Sequence, residues 1–209
     1  MLTVISPAAH HRLTTLEAVK NELSLTNTAD DAFLSDLIDQ ASDIVRTWCG
    51  RSFALEGVRE TLHHNRPGAS VMLSRWPVAS IDAVTIDGRV FDPVNFQAED
   101  GAGIVYRIGA DGCTASWPSG RTVIEYTAGY VLPNDDNSAE PTLPKDIERA
   151  AIILVKTAYF ARGRDPLIRT EDVSGIASTT YWVGGFGNGA TLPPDVEGLL
   201  SPHRQVLIG

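Results

Sequence analysis

The sequence predicts an α+β protein with a three-helix body, a small antiparallel β insertion and an irregular, extended C-terminal tail. Apolar residues recur at helical spacing between residues 13 and 50 and again after Pro144. Between these stretches, from residue 52 to 131, runs rich in β-branched and aromatic residues alternate with turn residues. Beyond residue 162 neither period is sustained, so residues 163–209 are predicted to be the irregular tail.

Composition is typical of a compact globular chain. The 209 residues are 43% hydrophobic and 21% charged, which suffices for one large domain or two small ones. The formal net charge of -9 argues against a surface that grips a nucleic-acid backbone. No signal peptide or membrane-spanning run is evident. We expect a protein that is made and kept in the cytoplasm until it meets a partner, and no membrane partner.

The helical body is predicted to comprise residues 1–51 and 144–162. Thr14 or Thr15 can cap a short first helix, and a longer one begins near Asp31. The apolar stripe of this second helix consists of Phe33, Leu34, Leu37, Ile38, Ala41, Ile44, Val45 and Trp48. Gly50 follows it at the position where a left-handed residue is usually needed.

The β insertion is predicted to comprise residues 52–131 and is followed by a polar linker, 132–143. Its strongest local signal is Asp87-Gly88, because both residue types tolerate the positive φ of a tight hairpin turn. Pro144 then opens the third helix, where a missing N–H costs nothing. Near the end of the tail, "LPPDVEGLLSPHR" can form one or two helical turns.

The glycine-rich stretch "VGGFGNG", residues 183–189, raises the possibility of a phosphate site. A dinucleotide fingerprint needs Gly-x-Gly-x-x-Gly before a helix, and a phosphate loop needs a Lys after its last glycine. This stretch has neither and is followed by Pro193-Pro194. A flexible or extended connector is therefore the favoured interpretation, and no cofactor site is predicted.

No catalytic or metal site is predicted either. The adjacent histidines His63 and His64 point to opposite faces of a strand, so the pair cannot chelate one ion. The acidic pairs in turns and linkers are interpreted as helix caps and solvated turns. Cys49 and Cys113 are interpreted as reduced thiols, because two cysteines cannot form a disulfide framework.

The tail carries large aromatic residues where no helix or strand period places them in a core. Tyr181, Trp182 and Phe186 lie among glycines, and such rings often anchor interfaces. A contact with another protein and simple folding back onto the body stay equally open. The arginines Arg162, Arg164 and Arg169 are expected to pair with the preceding helix end and local acids, with an acidic partner or DNA phosphate as the alternative.

Five segments occur in an order that resembles a known family. They are "LTTLEAVKNEL…DDAFLSDLIDQASDIVRTWCGRSF", "LSRWPVASIDAVTIDG", "WPSGRTVIEYTAGY", "LPKDIERAAIILVKTAYFARGRDP" and "LLSPHR". Together they span residues 13 to 204 and resemble the head-tail connector (adaptor) proteins of long-tailed bacteriophages and phage-derived gene transfer agents.

The resemblance implies a structural protein without catalytic activity. Such proteins assemble as a ring, usually of about twelve copies, beneath the portal. The ring extends the DNA channel, which DNA traverses without sequence-specific binding, and offers a platform for the stopper or next tail-side neck protein. The implied location is the neck of a particle assembled in the bacterial cytoplasm. The tail would reach onto the portal, and its candidate anchors are Tyr181, Trp182, Phe186, Leu199, Leu200 and Arg204.

Two alternatives stay open. One is another neck protein, such as a stopper or tail-completion protein, although those should be dominated by a β-barrel. The other is a small ligand-binding or hydrolytic domain with a site near Arg75, Trp76 and Trp117, because clustered Trp and Arg can stack on a sugar or base. The Trp-Pro pairs at both places are equally compatible with strand-edge packing.

Overall fold

The computed structural model describes residues 1–99, 101–136, 139–162, 170–173, 177–180 and 192–205, with only the backbone for 170–173 and 177–180. The chain divides into two compact units. The β unit comprises Met1–His11, Ser52–Leu132 and Glu140–Thr142. The helical unit comprises the described residues of Arg12–Arg51, Pro133–Ala139 and Leu143–Gly209.

The main sheet of the β unit has five antiparallel strands, β1 (Leu2–Ser6), β2 (Glu56–His64), β4 (Val78–Ile86), β5 (Arg89–Phe91) and β9 (Gly120–Ala128). Their order in the sheet is β1-β2-β9-β4-β5. Strands β2 and β9 pair over nine residues, from Glu56↔Ala128 to His64↔Gly120. Strand β1 was missed at the sequence level, because its partner β2 begins some fifty residues later and its own five residues carry little pattern.

A second antiparallel sheet contains β3 (Ser70–Met72), β6 (Phe96–Ala98), β7 (Ile104–Ile108) and β8 (Thr114–Ala115), with β7 pairing all three of the others. Both sheets contribute to one buried core, so the predicted antiparallel β structure is present, but residues 1–11, which were expected in the helical body, belong to the β unit. The residues of this core include Val58, Val71, Val84, Phe96, Val105, Trp117, Ile124 and Tyr126.

Two places in the β unit have backbone conformations that favour glycine. Asp87 and Gly88 both have positive φ, 48° and 81°, and form the predicted turn between β4 and β5. Gly129 has φ 114°, and a Cβ placed there would lie 2.1 Å from the carbonyl oxygen of Ala54. Only glycine fits that position.

The helical unit contains the three predicted helices, α1 (Leu16–Leu23), α2 (Asp31–Cys49) and α3 (Lys145–Phe160). The Thr15 hydroxyl accepts a hydrogen bond from the Ala18 N–H at 3.1 Å, so Thr15 is the cap of α1. Gly50, with φ 68°, ends α2 as expected. The buried residues that join the helices are Val19, Leu34, Leu37, Ile38, Ala41 and Val155.

The predicted three-helix body and irregular tail need correction. The one or two helical turns predicted for "LPPDVEGLLSPHR" are present as a fourth helix, α4 (Pro194–Leu200), which buries Val196 and Leu200 and contacts α3. Two short strands, β10 (Thr170–Val173) and β11 (Ala177–Thr180), pair as an antiparallel hairpin. These elements have four to seven residues, too few to display a sustained period in the sequence.

Candidate partner-binding surface

Ion pairs tie α1 to α3 on one side of the helical unit. The Glu22 carboxylate accepts hydrogen bonds from Arg149 Nη1 at 2.7 Å and Lys156 Nζ at 2.8 Å. These hydrogen bonds, Arg149 first, lower the pKa of Glu22 from 4.5 to about 2. The carboxylate is therefore ionised at neutral pH and matched by two cations.

An aromatic and ionic cluster lies where the C-terminal end of α3 meets the start of α2. Tyr159 Oη and Arg162 Nη1 donate to the Asp30 carboxylate at 2.9 and 2.7 Å. The Arg162 guanidinium also lies 4.7 Å from the Phe33 ring centre. Phe160 packs edge-on against Tyr159 and is 67% exposed. We name these five residues the α3-end cluster; Tyr, Phe and Arg in such arrangements are common at protein interfaces.

An apolar groove of about 660 Å³ runs between α2 and α3. Its α2 wall includes Leu37, Ala41, Ile44 and Trp48, and its α3 wall includes Leu154, Ala158 and Ala161. Leu192 and Pro193, just before α4, complete it. We name this the α2–α3 groove. Ile44 is 45% exposed within it, so the apolar stripe of α2 is wider than the core of the unit covers.

The last described residues return to the end of α2. The Gln205 N–H donates to the Cys49 carbonyl oxygen at 2.8 Å. The Arg204 guanidinium lies 5.2 Å from the centre of the Trp48 ring, within the range of a cation–π contact. His203 Nε2 lies 2.6 Å from Asp146 Oδ2 on α3. The Cys49 thiol is buried there, and burial raises its pKa to about 11.

Comparison with known protein families decides the identity of this fold. A family model described as "head completion protein" matches residues 12–206, which is most of the chain. The chain belongs to the head completion protein family. It is thus a structural protein of the neck with a head-tail adaptor role, in agreement with the resemblance noted from its sequence.

Solved structures similar to this head completion protein come from gene transfer agent (GTA) particles. They include the "neck of empty GTA particle computed with C6 symmetry" at 20% identity and the "neck of native GTA particle computed with C12 symmetry" at 19%. A third is the "virion of native gene transfer agent (GTA) particle" at 21%. Each has a TM-score of 0.57 and is covered to 98%, with 100% of this chain aligned. No curated protein sequence matches the chain.

The predicted partner-binding residues of this head completion protein lie in different settings. Tyr181, Trp182 and Phe186 are outside the described residues. Leu200 is fully buried, Leu199 is half-buried, and Arg204 is exposed and stacks on Trp48. Of the arginines after α3, Arg162 pairs with Asp30 rather than with the local acids we expected, and Arg164 and Arg169 are outside the described residues.

The groove residues Ile44 and Trp48 were missed as a surface. Their helical spacing assigned them to the core, and spacing alone cannot tell how wide a stripe the neighbouring helix covers.

The alternative ligand site in the β unit is contradicted at Trp117. Its ring is 1% exposed, its centre lies 5.1 Å from that of Phe96, and its Nε1 donates to the Val105 carbonyl at 3.1 Å. Arg75 Nη1 is directed at the buried Glu56 carboxylate, 3.4 Å away. The Trp and Arg that were expected to stack on a ligand are used for packing and pairing instead.

A buried polar network in the β unit connects β2, β9 and the residue Ser74, which follows β3. The Glu60 carboxylate, 2% exposed, accepts hydrogen bonds from Tyr126 Oη at 2.7 Å, from the Ser74 N–H at 3.0 Å and from the Ser74 hydroxyl. Burial, followed by the hydrogen bond to Glu60, raises the pKa of Tyr126. The carboxylate has three donors and functions in packing rather than in binding.

Among the residues that the structure describes, no group of three or more His, Cys, Asp or Glu side chains could hold a metal ion. Within the same residues, the helices are too short or too polar to cross a membrane.

Proposed function

We propose that this head completion protein forms a ring beneath the portal of a phage or phage-like particle. The ring would extend the DNA channel and dock the stopper or next tail-side neck protein. The observation that supports this is the family match over residues 12–206. The similar neck structures, one computed with C12 symmetry, make about twelve copies the expected number, because identical head-to-tail contacts close into rings.

The charge of the chain suits a channel wall. With a net charge of -9, the ring would repel the DNA backbone rather than hold it, so DNA would pass without sequence-specific binding. The protein would act without catalysis, and it would be assembled into the particle neck in the bacterial cytoplasm.

The tail is proposed as the portal contact. Tyr181, Trp182 and Phe186 supply large amphipathic rings, which carry much of the energy of typical interfaces. Leu199, Leu200 and Arg204 form the far end of the same tail. Because Leu200 is buried beside α3, its part is to fix the position from which the aromatic segment reaches the portal.

The test compares two full-length variants for binding to purified portal rings. In the first, Tyr181, Trp182 and Phe186 are all replaced by Ala. The control is Val90→Ala, which shortens an exposed apolar side chain of the β unit outside the candidate partner-binding surface. Losing one interface hot spot of about 2 kcal/mol weakens binding roughly 30-fold. The triple variant should therefore lose portal binding and incorporation into heads, while the control retains both.

Two results would argue against the proposal. Normal incorporation of the triple variant would show that the tail aromatics are not the portal contact. Binding of the wild-type protein to tail-side components but not to portal rings, followed by electron microscopy, would instead support a stopper or tail-completion protein.

A further inference from the structure

The α2–α3 groove leaves apolar side chains uncovered next to the point where the described chain ends. Ile44 on its α2 wall is 45% exposed, and its α3 wall offers Leu154 and Ala158. The rim is polar, with Gln40, Asp43, Thr47 and Thr157 around the apolar floor. A concave apolar surface with a polar rim is typical of a site that receives a short apolar segment.

The chain itself leads to this groove. Gln205 is held against the end of α2 by its hydrogen bond to Cys49, and Arg204 lies over Trp48, which lines the groove. The next three residues are Val206, Leu207 and Ile208, all apolar and outside the described residues. The described chain therefore ends beside Trp48, at the rim of the groove.

The reach of these residues matches the distance to be covered. Three extended residues span about 10 Å, whereas α2 rises only about 6 Å over the four steps from Trp48 back to Ile44. A segment tethered this closely has a high effective concentration at the groove, so it competes well with any other occupant.

We propose that Val206–Ile208 pack into the α2–α3 groove of their own chain and cover Ile44 and Trp48. The groove is then a self-binding site of the helical unit. The groove does not include the tail aromatics, so the tests of this proposal do not depend on the outcome of the portal-binding test.

Cysteine cross-linking in the full chain tests the proposal directly. In a Cys49→Ala, Cys113→Ser background, the pair Ile44→Cys and Leu207→Cys is oxidised with oxidised glutathione. The control pair is Arg46→Cys and Leu207→Cys; Arg46 is exposed and lies on the opposite face of α2, two residues from Ile44. Mass spectrometry of proteolytic fragments then identifies the disulfide, and electrophoresis distinguishes monomers from dimers.

We expect the Ile44 pair to form an intramolecular disulfide at least about tenfold faster than the Arg46 pair, because tethering raises the local concentration. Equal rates for the two pairs would overturn the proposal. So would a disulfide that forms only between chains, since the groove would then take the segment of another copy.

Peptide binding gives a second test that needs no cysteine. A chain that ends at Gln205 should bind a fluorescent peptide of residues 204–209, Arg-Gln-Val-Leu-Ile-Gly, whereas the full chain should bind it at least about tenfold more weakly. Adding Ile44→Asp to the shortened chain should abolish binding. Equal affinity of both chains, or no binding to the shortened chain with an unchanged circular dichroism spectrum, would contradict self-binding.

Discussion

Replacing Tyr126 by Phe removes one hydroxyl from the core of the β unit and keeps the buried ring in place. The hydroxyl donates to the Glu60 carboxylate at 2.7 Å, and both residues are almost fully buried. A hydrogen bond to a charged group contributes about 1.5–3 kcal/mol. Because the N–H and hydroxyl of Ser74 still donate to Glu60, the carboxylate keeps partners in the variant. We expect the free energy of unfolding to fall by about 2 kcal/mol.

Urea unfolding at pH 7, followed by circular dichroism and tryptophan fluorescence, measures this loss. For a slope of about 2 kcal/mol per molar urea, the midpoint should drop by about 1 M. The matched control is Tyr106→Phe in the same unit. The hydrogen bond from the Tyr106 hydroxyl to Glu99 is exposed and long, at 3.3 Å. That control should lose less than about 0.5 kcal/mol.

A double-mutant cycle with Glu60→Gln separates the hydrogen bond from packing. If the bond is responsible, Tyr126→Phe should cost clearly less in the Glu60→Gln background than in the wild type. The reasoning is refuted if Tyr126→Phe leaves the midpoint unchanged, or if its cost is the same in both backgrounds.

The stability that the hydrogen bond between Tyr126 and Glu60 contributes decreases in alkaline solution. The pKa of Tyr126 is raised in the folded protein, while an unfolded tyrosine ionises near pH 10. The stability that the neutral hydroxyl supplies is therefore fully present below about pH 10 and is lost as the pH rises further. The advantage of the wild type over Tyr126→Phe should shrink above that pH.

Three further outcomes are expected. Gly129→Ala should prevent the β unit from folding, because the new Cβ would lie 2.1 Å from the Ala54 carbonyl oxygen. Gly88→Ala, which has open space around the Cβ, should lower the free energy of unfolding by only about 1 kcal/mol. Soluble yield and circular dichroism distinguish the two variants, and equal behaviour would contradict this expectation. The pKa of Glu22 is lowered from 4.5 to about 2, so its ion pairs stabilise the fold above pH 4.5 and are lost as the pH falls toward 2. Glu22→Gln should therefore reduce the change in Tm between pH 6 and pH 3. An unchanged difference in Tm would contradict a stabilising role for these ion pairs. Iodoacetamide at pH 8 should modify exposed Cys113 but not Cys49, whose pKa is raised to about 11 by burial; rapid modification of both thiols by mass spectrometry would be inconsistent with the burial of Cys49.

Features that depend on near neighbours in the chain were predictable. The Thr15 hydroxyl needs only the N–H three residues later, and Gly50 and the Asp87-Gly88 turn need only a positive φ. The second and third helices have 19 and 16 residues, more than four turns each, and both carry a continuous apolar stripe, so their periodicity is unambiguous. The order of these pieces was sufficient to indicate the family, which the match over residues 12–206 confirmed.

Features that depend on distant partners were not predictable. Trp117 could have stacked on a ligand or filled a core, and its contacts with Phe96 and Val105 decide for the core. The short helix that contains Leu200 was expected, but the burial of Leu200 requires α3. Strand β1 is specified largely by pairing with β2.

The sequence by itself therefore determined the helices with long stripes, the tight turns and the class of protein, because short-range spacing and backbone preference are written in adjacent residues. Only the tertiary structure decided which apolar residues stay uncovered. Ile44 and Trp48 have the same spacing as their buried neighbours on α2, yet they line an open groove. The difference arises because burial depends on the width and position of α3, whose residues lie about a hundred positions away in the chain.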